Sequence, residues 1–295
     1  MLVASTAKCS RRGSPGGHHE HLDPSQPLVS AAAVPLDLPA TRAALEAVGR
    51  RLVGLLKAVP DPQAPSRGLA WTLGETSLHL AGGPARYADF ARGRALPEPT
   101  VDLGPVFAQR MAAEPERTPS VLARRLDENT RRYLAETAEL PATHPVPFFG
   151  GVTIELAAQS AILLGEFVVH GYDVARSLGR PWPIEATHAR LIVAAITALL
   201  PRYVDQARAA GLTATYQVRL RGGPSFMVRF DRGTAMVGPP QPGAADCRLT
   251  VDPVTFLLLV YGRRSQWPGI LRGQLRAWGR RPWLGPRFQR LFVRP

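Results

Sequence analysis

Two side chains able to bind a metal ion stand four residues apart in the stretch LLGEFVVHGYD, Leu163 to Asp173: Glu166 and His170. On an α-helix, residues four apart are separated by about 40° around the axis, so a carboxylate and an imidazole at this spacing project side by side. Together they supply two of the three protein ligands that hold a catalytic divalent ion, whose remaining position stays open for water or a thiol. The third donor must come from elsewhere. His79 is the obvious candidate, set between Leu78 and Leu80 in a second helical stretch. Asp173, three residues after His170, is placed to orient an imidazole by accepting its N–H, to cap the helix, or to pair with Arg176. Spacing alone leaves a plainer alternative open: a histidine on an apolar face is often a satisfied core residue, and a Glu–His pair one turn apart is often a surface contact.

These residues need helices to position them, and the sequence predicts several. RAALEAVGRRLVGLLKAV places Leu45, Val48, Leu52, Leu55 and Leu56 on one face, the spacing of an amphipathic helix. WTLGETSLHL opens with Thr72 and Glu75 at capping-box spacing, which makes Thr72 the N-cap and sets His79 about two turns into its helix. Thr118 and Pro119 form another helix start. The Glu166–His170 pair falls in a helix expected from about 152 to 178, ended by Gly179 with Pro181 beyond. A last helix is expected over about 184–210, kinked at Pro201. Helices joined by loops imply an antiparallel bundle. After Gly211 the period changes to two: TATYQVRLRGGPSFMVRFDRGTAMVG reads as a hairpin and CRLTVD as a further strand. Asp252 and Pro253 then start a helix, with two short helical stretches after it. The fold class is thus an all-α domain followed by a small α+β domain. Its divisions are an N-terminal extension over 1–38, a bundle over 39–210 and the α+β part over 211–295.

Composition bounds the rest. The 295 residues, 45% of them apolar, can bury two ordinary cores. No run is long and apolar enough for a membrane span, and the start of the chain is too short in apolar residues for a secretory signal, so a cytoplasmic protein is expected. Residues 1–38 are rich in Gly, Pro and Ser and read as disordered, which leaves His18, His19 and His21 without fixed ligand geometry. Cys9 and Cys247 are the only cysteines and too distant in sequence for a disulfide framework or a Cys-based zinc site. The net charge of +13 comes almost wholly from arginine, with Lys8 and Lys57 the only lysines, the signature of a GC-rich genome.

Three segments carry a resemblance to a known family. WTLGETSLHL is similar to the Trp-containing helix start, with its downstream His, of the DinB/YfiT-like metal-dependent superfamily. LLGEFVVHGYDVARSLGRPWP resembles the E-x-x-x-H-G-x-D-x-A-x-x-x-G-x-P stretch of the mycothiol-dependent maleylpyruvate isomerase family. LTVDPVTFLLLVYGRRSQWPGILRGQLRAWG resembles that family's C-terminal domain, which is related to sterol carrier protein 2 (SCP2). The resemblance spans about residues 40–295. It implies a DinB-like antiparallel helical bundle followed by an SCP2-like α+β domain. It implies a divalent metal ion, zinc foremost, on His79, Glu166 and His170, with Asp173 behind them. It also implies mycothiol as the thiol cosubstrate: the thiol adds to the double bond of a small acid, the bond rotates, and elimination releases the trans isomer, while other members transfer the thiol.

An acidic substrate needs a positive partner, and Arg219, Arg221 and Arg229, on or beside strands, are candidates to pair its carboxylate. Two other classes compete. An SCP2-type domain is suited to hold a lipid or other apolar ligand without catalysis. The segment 261–295 carries nine arginines and no acidic residue, interleaved with Trp267, Trp278 and Trp283, as a nucleic-acid or anionic-membrane surface would. The same aromatic residues are what two short core-packing helices require, and no nucleic-acid module is evident.

Overall fold

Four helices close a ring around one apolar core. The structure, a computed structural model, describes residues 34–243 and 245–293. Helices α1 (Leu38–Lys57), α2 (Leu73–Ala91), α4 (Pro119–Glu136) and α5 (Leu156–Ser177) pack so that α1 and α2 each touch both α4 and α5. A short α3 (Gly104–Ala113) lies against α2. The apolar face read from α1 is the one that is buried, with Leu45, Val48, Leu52 and Leu56 at 1% exposure or less. The capping box of α2 is complete: Glu75 N donates to Thr72 Oγ1, and the Thr72 backbone N donates to Glu75 Oε2.

The helix carrying Glu166 and His170 begins four residues later than its sequence suggests. Pro145–Phe148 (β1) and Val152–Glu155 (β2) form a hairpin, turned by Gly150 and Gly151 at positive φ. Residues 152–155 are therefore strand, and α5 starts at Leu156. The expected helix over 184–210 is also divided. It becomes α6 (Ala186–Leu199), a 3-10 segment at Leu200–Tyr203 and a single turn, α7 (Gln206–Ala209), because Pro201 cannot continue the ladder.

Beyond Gly211 comes a five-stranded sheet in the order β5-β4-β3-β6-β7, with β3 (Thr213–Leu220), β4 (Ser225–Asp231), β5 (Thr234–Gly238), β6 (Cys247–Val251) and β7 (Leu275–Trp278). All pairings are antiparallel except β3 with β6. Helix α8 (Pro253–Val260), capped by Asp252 Oδ1, packs on α6 and joins the two halves. Of the two short helical stretches expected after it, one is α9 (Gln266–Leu271). The next residues give β7, an edge strand, and only then a 3-10 segment at Pro282–Leu291.

The expected disordered extension lies, through residue 33, outside the described residues, and Cys9 with it. Its last part is ordered: Val34 is buried and Asp37 caps α1 by accepting from Ala40 N. Among the described residues, no helix is long and apolar enough to cross a membrane.

Candidate metal centre

The helix α5 is buried along nearly its whole length, and its glycines make that possible. At Gly171 a Cβ would come within 2.4 Å of the Trp182 ring. The indole lies over that point, donates Nε1–H to Val168 O at 3.0 Å, and is covered by Arg51 at 4.5 Å. The glycine after His170 and the tryptophan of RPWP are thus two halves of one contact. It locks the turn that carries His170.

On that turn Glu166 and His170 project side by side, and His79 reaches them from α2. Glu166 Oε2 lies 2.8 Å from His79 Nε2 and 3.3 Å from His170 Nε2. One ligand atom from each of the three residues falls within 4.8 Å of the others. Around an ion with bonds of about 2.0 Å, tetrahedral neighbours stand roughly 3.3 Å apart. Two imidazole nitrogens and one carboxylate oxygen at these separations fit a divalent ion of the zinc class. Both histidines are buried, whereas the Glu166 side chain keeps 25% of its surface exposed, on the wall of a cavity of about 820 Å³.

The surrounding groups fix the imidazoles. His170 Nδ1 donates to Asp173 Oδ2 at 3.2 Å, which leaves Nε2 facing the cluster. Asp173 is itself fully buried and held by Arg263, whose Nη2 and Nε donate to its carboxylate at 2.7 and 3.0 Å. Arg263 follows α8 and is the second half's contribution to the site. The alternatives of helix cap and Arg176 partner give way to this arrangement, and Arg176 lies over the Tyr172 ring instead. The His79 ring sits between Trp71, tilted at 5.1 Å, and Phe107 of α3, edge-on at 4.7 Å.

Without an ion the cluster holds one proton in a defined place. Burial lowers the proton affinity of His79 to about 4, against the opposing pull of Glu166. Burial acts the same way on His170, but hydrogen bonds to Asp173 and Glu166 outweigh it and raise the ring to about 9. Burial alone would raise Glu166, yet the hydrogen bonds from His170 and His79 hold it well below the usual carboxylate range. The proton therefore resides on His170, and His79 donates its Nε2–H to Glu166.

The three strand arginines do not join the site. In β3 the even positions Ala214, Tyr216, Val218 and Leu220 are buried, and Arg219 alternates with them onto the exposed face. Arg229 of β4 pairs with Thr215 on that same face. Leu249, which lines the cavity, pairs with Val218 on the other face. Arg221 is exposed after β3 and donates to Gly273 O. Strand alternation thus directs Arg219 and Arg229 away from the cavity. The half-buried Arg86 and Arg263 line it instead, beside the exposed Arg208, Arg264 and Arg290. Arg86 had a readable signal, since seven residues after His79 is the same helical face. The pairing of Arg263 with Asp173 had none.

Residues 23–175, just over half of the chain, match the family model described as Mycothiol maleylpyruvate isomerase N-terminal domain. Residues 196–279 match the SCP-2 sterol transfer family. Among solved structures, the chain is similar to a mycothiol-dependent maleylpyruvate isomerase, with 13% identity over 82% of this chain and 93% of that one and a TM-score of 0.50. A variant of that isomerase aligns over the same shares, with 13% identity and a TM-score of 0.51. Among curated proteins nothing matches. At such identity the structural likeness speaks for the fold.

Proposed function

Since this chain belongs to the family of the mycothiol maleylpyruvate isomerase N-terminal domain, we propose that it is a metal-dependent isomerase or transferase that uses mycothiol on a small electrophilic acid. The observation that carries this reading is the convergence of His79 Nε2, Glu166 Oε2 and His170 Nε2 on the wall of a large cavity. These three residues would hold the divalent ion, zinc by the chemistry of the donor set. When bound, such an ion stabilises the anion of a thiol near neutral pH.

The chain's own residues do the remaining work. Asp173 keeps His170 in the tautomer whose Nε2 faces the site, and Arg263 keeps Asp173 in place and ionised. Trp71 and Phe107 hold the His79 ring and, with Phe167 and Leu163, give the cavity around the cluster an apolar wall. The Glu166 edge remains open to a thiol entering from the cavity. Incubation with maleylpyruvate and a panel of other unsaturated acids, with and without mycothiol, tests the proposal. Thiol-dependent isomerisation or thiol consumption is expected. Neither, with full metal content and across the panel, would overturn it.

A second reading has its own observation. Leu249, Phe256, Leu259 and Phe288, from the SCP2-like half, line the same cavity, as the pocket of a lipid-binding protein would be lined. Stoichiometric acyl-chain binding by protein that takes up no metal would favour that reading over the enzyme.

A further inference from the structure

Several half-buried arginines have acidic partners. Arg263 holds Asp173, Arg110 holds Glu98, and Arg132 holds Asp89 and Glu136. Arg86 differs. It lines the cavity, is only partly exposed, and makes no hydrogen bond or ion pair with any described residue. Its donors are free and face the open space of the cavity, where a ligand can reach them.

Its direction is informative. Arg86 lies two turns after His79 on α2 and shares its face. Side chains on a helix lean toward its N-terminus, and Arg86 does so. A Cβ placed on Gly82 would meet Arg86 Nη1 at 2.7 Å. The guanidinium is thus folded back over Gly82, one turn from His79, and the missing side chain at Gly82 is what gives it room. Helical rise puts Gly82 only about 4.5 Å along the axis from His79. Burial, and next the charge of nearby Arg110, lower the proton affinity of Arg86 to about 10, so it remains a cation with too little negative charge around it. Arg110 is already engaged by Glu98, and Glu166 spends its Oε2 on the two histidines.

We propose that Arg86 is the carboxylate anchor of this cavity, a fork of N–H donors that binds the acid group of the ligand one helical turn from the metal-binding triad. The proposal deepens the reading of the site given above and rests on it for the reaction, though not for the binding. A guanidinium presents parallel donors that match the two oxygens of a carboxylate. An acid held there keeps its neighbouring carbons beside the open edge of Glu166. The ligand class is therefore a short-chain carboxylic acid whose reactive carbon lies within a few bonds of the carboxylate.

The test is calorimetric binding of maleate to the full chain, with its dimethyl ester as the uncharged control. Both are titrated into metal-loaded and chelator-treated protein. Wild type is expected to bind maleate in both forms and the ester in neither. Arg86→Met is expected to weaken maleate about tenfold or more while metal content and melting temperature hold. Arg86→Lys should recover part of the loss, since it restores charge without the fork. Gly82→Ala should weaken binding with Arg86 intact, because the added methyl group displaces the guanidinium. Maleate binding unchanged in Arg86→Met, or equal binding of ester and acid by wild type, would overturn the proposal. Metal content is measured separately. If His79→Ala and His170→Ala show that no metal is held by the triad, the metal reading fails while the Arg86 dependence of maleate binding still stands or falls alone.

Discussion

Arg263 grips the carboxylate of Asp173 with two donors, Nη2 at 2.7 Å and Nε at 3.0 Å, across ninety residues of sequence. The pair is nearly inaccessible, with Asp173 at 0% and Arg263 at 9% exposure. It links the end of α8 to the turn that carries His170. A change in the second half of the chain can therefore reach the candidate metal centre through one fork of hydrogen bonds.

Breaking that fork should cost both stability and metal affinity. Arg263→Met leaves a buried carboxylate without its partner, and a loss of about 3 kcal/mol is expected, measured by urea unfolding of the metal-free protein. Asp173→Asn keeps the shape but weakens the acceptor behind His170. Metal affinity is expected to fall about 10- to 100-fold in competition with a chromophoric chelator. Unchanged affinity would separate Asp173 from the metal centre.

The metal-free protein should have a pH optimum of stability that the loaded protein lacks on its alkaline side. The raised His170 contributes stability that is complete below its ordinary value of 6.5 and lost as pH climbs through about 9. His79 is shifted the other way. Its contribution is complete above 6.5 and lost as pH falls through about 4. Glu166, held low, adds to the acid-side loss. For metal-free protein, melting temperature should peak near pH 6.5 and fall toward both ends. With metal bound, the ion replaces the His170 proton, so the alkaline decline disappears and the acid decline persists. Parallel profiles for the two forms would contradict this account of the cluster.

Gly171→Ala should be damaging although it is a small change in a helix, where alanine is ordinarily the better residue. The new methyl group would enter the Trp182 ring, and a net loss of about 1–3 kcal/mol is expected by thermal or urea unfolding. Gly179→Ala, near the end of the same helix but with nothing within 4 Å of its would-be Cβ, separates packing from backbone strain, since it tests only the positive φ.

Legibility in the sequence followed the range of each interaction. The capping box at Thr72, the apolar face of α1 and the Glu166–His170 spacing are local, and the structure reproduces them. His79 stands out because it sits on an otherwise apolar helical face, between Leu78 and Leu80. Residues 152–155 read as helix in sequence because their strand depends on pairing with Pro145–Phe148, a partner that periodicity within one segment does not reveal. β7 is equally a product of its pairing with β6. Arg219 and Arg229 lie on strands, as expected, but the face they occupy follows from strand parity relative to a core that only the fold defines. Arg263 lay outside any motif, and its meaning comes entirely from where α8 ends.

The central claim is that His79, Glu166 and His170 together hold one divalent ion, and metal analysis of the purified full chain tests it most directly. Wild type, His79→Ala, Glu166→Ala and His170→Ala are compared after equilibration with zinc and removal of excess ion. One zinc per chain in wild type, falling toward zero in each variant while the helical circular dichroism is preserved, is the predicted result. Full zinc retention in all three variants, or none in wild type, would contradict it.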